Sequence, residues 1–113
     1  MHELSLALEV IDLASREAER NGVSEILEME IEVGTLSGVE ADIFYSALEM
    51  IVKNTLLENT LIKIIRTPAI GQCIECNKEF EMQERMATCP VCHYFPAEIN
   101  GGQDFRVVSI LAE

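Results

Sequence analysis

Apolar residues recur at helical spacing from the start of the chain, at Leu4, Ala7, Leu8, Ile11, Ala14 and Ala18. This predicts an amphipathic helix that turns these positions toward a core. Asn21 and Gly22 end it, with Gly22 suited to a left-handed cap. The period then changes. In ILEMEIEVG, Leu27, Met29, Ile31 and Val33 alternate with Glu28, Glu30 and Glu32, the mark of a half-buried strand whose carboxylate face meets water. GTLSGVE reads as a turn, with Ser37 and Glu40 spaced as a capping box. A second helix is predicted to point Ile43, Ala47, Leu48 and Ile51 inward and to fade near Lys53 and Asn54. LIKIIRTP reads as a second strand, with Ile62 and Ile64 on one face and Pro68 stopping it. Strand, helix, strand is a crossover, so these two strands can pair in parallel.

The last strand, DFRVVSILA, breaks its own alternation: Phe105 and Val107 face one way, Val108 and Ile110 the other. A bulge after Val107 would reconcile them. Between Pro68 and Gly102 the apolar periodicity fades, and all four cysteines lie there. The organisation read from the sequence is therefore a body made of residues 1–68 plus 103–113 and an insert of residues 69–102. Pro68-Ala69 and Gly101-Gly102 look like hinges through which the insert could exchange between two chains, so a homodimer stays open.

Charge narrows the partners. Eight basic residues against twenty acidic ones give a net charge of −12, which disfavours phosphate contacts and excludes a nucleic-acid binder. No apolar run is long enough to span a membrane, and Glu3, Glu9 and Asp12 stand where a secretory leader would be apolar. The expectation is a cytoplasmic protein, in which paired cysteines are metal ligands more often than disulfides.

Cys73, Cys76, Cys89 and Cys92 form C-x2-C-x12-C-x2-C. Each pair can wrap two thiolates around one ion, and two such knuckles complete the tetrahedral sulfur shell that zinc favours. Asn77 and His93 follow the two pairs and belong to the residue types that tolerate positive φ, which suits a knuckle turn; for His93 a turn role competes with metal contact. The insert carries few apolar residues, so a bound zinc would supply the staple that a scaffold of this size needs. An iron site uses the same ligands. A dithiol oxidoreductase fits less well, because it needs one such pair rather than two facing ones. No nucleophile, phosphate loop or acid–base pair stands out, and with only His2 and His93 available the chain does not read as an enzyme.

His2 raises a second metal question. The Met1 amine, the His2 backbone nitrogen and the imidazole can chelate one ion in fused rings, with the Glu3 backbone completing a planar set; nitrogen-rich planar coordination suits Ni(II) or Cu(II). Amine and imidazole titrate near ~8 and ~6.5, so such a site would release its ion on mild acidification. On spacing alone the better reading of His2 is a polar residue ahead of a helix, with Glu3 complementing the helix dipole, because a lone histidine is a weak metal signal.

MHELSLALEVI, IEVGTLSGVEADIFYSALEM, the CIEC and CPVC pairs and the terminal RVVSILA together resemble the HypA/HybF hydrogenase maturation proteins, the nickel metallochaperones. The resemblance covers essentially the whole chain. It implies an α+β fold with two helices on a three-stranded mixed sheet and an inserted four-cysteine, zinc-ribbon-like module. It implies His2 as the nickel ligand, Glu3 as the acidic neighbour that shapes the site, and Cys73, Cys76, Cys89 and Cys92 as structural zinc ligands. The function it implies is carriage of Ni(II) as transient cargo to the [NiFe] hydrogenase large subunit. A hydrogenase maturation GTPase would be the partner, and in some members urease maturation proteins are also served. His93 matches a family histidine beside the second pair, whereas Asn77 replaces its counterpart beside the first. The alternative from another class is a zinc-ribbon adaptor that binds a protein and never carries nickel.

Overall fold

The computed structural model describes residues 3–113. The first helix, α1, spans Glu3–Arg20 and is followed by strand β1 at Ile26–Gly34, helix α2 at Ala41–Ile51 and strand β2 at Leu61–Thr67. Three short strands follow, β3 at Ala69–Cys73, β4 at Glu79–Met82 and β5 at Pro96–Asn100, and β6 closes the chain at Phe105–Ala112. They form two sheets of three strands, ordered β2-β1-β6 and β4-β3-β5. In the first, β1 pairs in parallel with β2 and antiparallel with β6. The second is antiparallel throughout. The expected α+β fold with a mixed sheet and an inserted cysteine module is the one observed. None of the described helices is long and apolar enough to cross a membrane.

The alternating pattern of β1 does most to organise the larger sheet. Met29, Ile31 and Val33 are buried against both helices, while Glu28, Glu30 and Glu32 face outward. Two of these glutamates carry cross-strand ion pairs, Glu28 with Lys63 at 2.6 Å and Glu32 with Arg106 at 2.9 Å. The Glu28 carboxylate, by accepting the Lys63 hydrogen bond, raises that ammonium group above its ordinary pKa. At the start of β1 the pattern slips. A register shift between Ile26 and Glu28 buries Ile26 and turns Leu27 outward, contrary to the expected face for Leu27.

The inward helix faces also differ from expectation. On α1 the buried stripe is Ala7, Val10, Ala14 and Ala18, and Leu4 and Leu8 are more than half exposed. Small side chains let the helix backbone approach its neighbours closely, which leaves the two leucines at its flank. On α2 the buried anchors are Phe44 and Leu48, whereas Ile43 is exposed. Phe44 meets Phe105 of β6 edge-to-face, with ring centroids 5.0 Å apart. β6 carries the bulge expected after Val107: pairing jumps from Glu30–Ser109 to Ile31–Val107, leaving Val108 unpaired and exposed. Phe105, Val107, Ile110 and Ala112 can then all pack on the same core.

The end of α1 is as expected and its details explain why. Gly22 adopts φ +65°, the Gly22 amide donates to Glu19 at 3.2 Å, and the Val23 amide donates to Ala18 at 3.0 Å, which together make a Schellman motif. The start of α2 is not the expected capping box. The helix begins after Glu40, and no side chain caps it from that position. Ser37 Oγ instead accepts the Val39 amide at 3.3 Å, a tight local turn upstream of the helix. The role that a capping-box carboxylate normally plays falls to Glu3 of α1, whose Oε2 accepts the Glu40 amide at 3.1 Å.

Candidate metal centre

β3 and β4 deliver the first cysteine pair, and the loop ahead of β5 delivers the second. The two pairs are built on one hydrogen-bond plan. The Cys73 amide donates to Lys78 at 2.9 Å and the Asn77 amide donates back to Cys73 at 3.0 Å. In the second pair the Cys89 amide donates to Tyr94 at 2.9 Å and the His93 amide returns to Cys89 at 2.8 Å. Both turns close through left-handed residues, Asn77 at φ 60° and His93 at φ 63°. The backbone geometry assigned to these positions from residue type is thus present in both knuckles. The exposed His93 serves its turn, and it lies outside the group of potential ligand atoms found among the described residues.

The four sulfurs converge within 4.8 Å of one another. Cys76 Sγ and Cys89 Sγ stand 3.9 Å apart, and thiolates held at ~2.3 Å from one tetrahedral zinc would be roughly 3.8 Å apart. The donor set and its spacing therefore fit a tetrahedral thiolate-bound ion. Amides support the sulfurs as well: the Glu75 amide donates to Cys73 Sγ and the Cys92 amide donates to Cys89 Sγ, each at 3.4 Å. The Cys92 amide is the main cause of a Cys89 thiol pKa lowered to about 7. The Cys92 thiol is pushed the other way, to about 12, chiefly by its hydrogen bond with the neighbouring Cys76 sulfur. Four thiolates held this close would repel one another, and a bound cation would supply the charge that balances them. Cys73 and Cys89 are buried, Cys92 is partly covered and Cys76 is exposed.

The cysteines sit on a small core of their own. Cys73 and Cys89 pack with Ala69, Phe80 and Met82, and with one residue from outside the insert, Leu36. The alternation in EFEM, with Phe80 and Met82 inward and Glu79 and Glu81 outward, was present in the sequence but too short to register as a strand. Leu36 carries a signal of another kind, with no periodicity behind it: a leucine in the middle of a polar, glycine-flanked turn, which buries itself in the nearest core. Tyr94 and Phe95 are about half exposed and add nothing to this core.

The second candidate site lies at the amino end. Met1 and His2 fall outside the described residues, so the proposed nickel ligand His2 has no observed geometry. Glu3 is described, and its carboxylate binds the Glu40 amide at the start of α2. The Glu40 side chain is exposed at the same corner, and Arg66 pairs with Asp42 in the first turn of the helix.

Comparison with known proteins places this architecture. A family model described as hydrogenase/urease nickel incorporation, metallochaperone, hypA, matches residues 1–112. A hydrogenase maturation factor HypA from Parabacteroides distasonis is 36% identical over 111 residues, covering 98% of this chain and 96% of that protein. Its counterpart from Chlorobaculum parvum is 34% identical over 113 residues, covering 100% of both. The solution structure of the Ni metallochaperone HypA from Helicobacter pylori superposes with a TM-score of 0.66 at 24% identity, covering 99% of this chain and 97% of that one. That likeness shows the same fold.

Proposed function

The chain belongs to the HypA family of hydrogenase and urease nickel-incorporation metallochaperones, and from that premise we propose that it carries Ni(II) on its amino terminus and hands it to the large subunit of a [NiFe] hydrogenase. The ligands in this reading are the His2 imidazole and backbone nitrogen, the Met1 amine and the Glu3 backbone. The single observation that supports it most is the anchoring of the residue next to His2: Glu3 is tied by its carboxylate to the amino end of α2. That contact fixes the first turn of α1 against α2, next to the residue that would hold the ion. Nitrogen donors suit nickel and thiolates suit zinc, so ligand type keeps the two metals apart.

The cysteine cluster in this account holds a structural Zn(II) through Cys73, Cys76, Cys89 and Cys92. The chain then divides into a nickel-binding body, residues 1–68 plus 103–113, and a zinc-binding insert, residues 69–102. Carriage requires no bond making in a substrate, so the protein works as a carrier and not as an enzyme. Its partners are the maturation GTPase and the recipient large subunit, with the urease maturation proteins as further recipients, and the site of action is the cytoplasm.

Calorimetric titration of zinc-loaded, untagged protein with Ni(II) tests the reading. His2→Ala is expected to abolish tight nickel binding while zinc content and fold persist. An unchanged affinity in that variant rules out the assignment and leaves the zinc-ribbon adaptor as the better account.

A further inference from the structure

The two halves of this molecule share little surface. The chain is elongated, 54 × 24 × 17 Å, and its buried residues fall into two separate clusters, one between the helices and the larger sheet and one beneath the cysteines. What joins them is the β1–α2 turn. Its first residues hold both connections to the insert. The Gly34 amide donates to Asp104 at 2.8 Å, the Thr35 amide and hydroxyl both reach the Thr67 carbonyl at 3.0 Å, and the Leu36 amide donates to Gly102 at 2.7 Å. The Pro68-Ala69 and Gly101-Gly102 connections, which look like free hinges in the sequence, are therefore clasped from the side.

Leu36 then goes further than its backbone. Its side chain is 3% exposed and lies in the insert's core with Cys73, Cys89, Phe80 and Met82. Its carbonyl accepts the Arg85 guanidinium of the insert at 2.8 Å. Beyond Leu36 the same turn runs through Ser37 and the buried Val39 to Glu40, the residue whose amide Glu3 binds.

We propose that Leu36 is a positioning residue: seated in the cysteine module and gripped by Arg85, it locks that module onto the body in one orientation relative to the amino-terminal corner. Without this seat, the insert is held to the body only by its two connections, the backbone hydrogen bonds that clasp them and the Arg85 contact, with no side chain of the body in its core. With it, the cysteine module and the corner at Glu3 and Glu40 move as one body. The consequence for nickel transfer rests on the amino-terminal nickel reading, whereas the orientation itself does not.

Residual dipolar couplings of the zinc-loaded full-length chain test it, comparing wild type, Leu36→Ala and Leu36→Met. In wild type the amides of β1 and β3 should fit one alignment tensor. Leu36→Ala should require two, with zinc content unchanged and the Glu40 amide exchanging about tenfold faster or more. Leu36→Met, which refills the seat, should restore the single tensor, a rescue that a general loss of stability would not give. If Leu36→Ala sheds its metal, Leu36→Val carries the test, and it should still split the tensors. A single tensor in a metal-retaining Leu36→Ala, or in Leu36→Val when that variant is needed, overturns the proposal. His2→Ala should leave the couplings as in wild type, so failure of the nickel reading is told apart from failure of this one.

Discussion

The Glu3 carboxylate accepts the backbone amide of Glu40 at 3.1 Å, which makes the first turn of α1 the cap of α2. A helix start whose own cap position contributes no side chain gains from an acidic group placed there by another element, through both the hydrogen bond and the helix dipole. Glu3→Ala should therefore cost about 1 kcal/mol in urea unfolding. Glu3→Gln, which keeps an acceptor and loses the charge, should cost less. Equal stability of Glu3→Ala and wild type would show that the contact contributes nothing.

Asn77 and His93 occupy left-handed backbone positions at matching places in the two knuckles. Glycine fits that conformation without strain and a β-branched residue does not, at a cost of roughly 1–2 kcal/mol per position. Asn77→Gly and His93→Gly should retain zinc with unchanged release to a chelator, while Asn77→Val and His93→Val should speed release. Loss of zinc from His93→Gly would instead identify His93 as a ligand.

The clasp leaves no room at Gly34. A Cβ there would come within 2.3 Å of the Gly102 carbonyl group, which is backbone and cannot swing aside. Gly34→Ala should lower stability by roughly 1–3 kcal/mol, the range for overpacking. Gly38→Ala, where a Cβ would meet nothing within 4 Å, should cost only the strain of its positive φ. Comparable thermal midpoints for the two variants would contradict the close approach.

Removal of the metal should act on one half of the molecule. The insert's core is small, and a scaffold of that size depends on its staple. In Cys76→Ser, bound zinc should be lost and amide exchange across residues 69–102 should rise, while the amides of α1 and β1 keep their protection. The thiols of the intact protein should resist alkylation until zinc is chelated. Full protection of residues 69–102 in a zinc-free chain would remove the structural role from the ion.

Local chemistry was the part of this molecule most legible in the sequence. Gly22, Asn77 and His93 each occupy the conformation their residue type favours, and the broken alternation at Val107-Val108 correctly marked a bulge. What the sequence concealed depends on residues far apart in the chain. The cap of α2 comes from a residue 37 positions earlier, so the nearby Ser37 and Glu40 spacing suggested the wrong partner. Leu4, Leu8 and Ile43 satisfy helical periodicity as well as the residues that are buried, and only the packing of α1, α2 and the sheet chooses between them. The convergence of the cysteines was readable because their spacing encodes it, whereas the seat of Leu36 in their core was not, because a turn carries no periodicity to follow.

The central claim is that nickel sits on nitrogen at the amino end while a different ion sits on sulfur. X-ray absorption at the nickel and zinc edges of untagged protein loaded with one equivalent of each metal reads both shells at once. Nickel should show nitrogen and oxygen neighbours alone, lost in His2→Ala, and zinc should show four sulfurs in both proteins. Nickel surrounded by sulfur, with the zinc signal displaced, would contradict it.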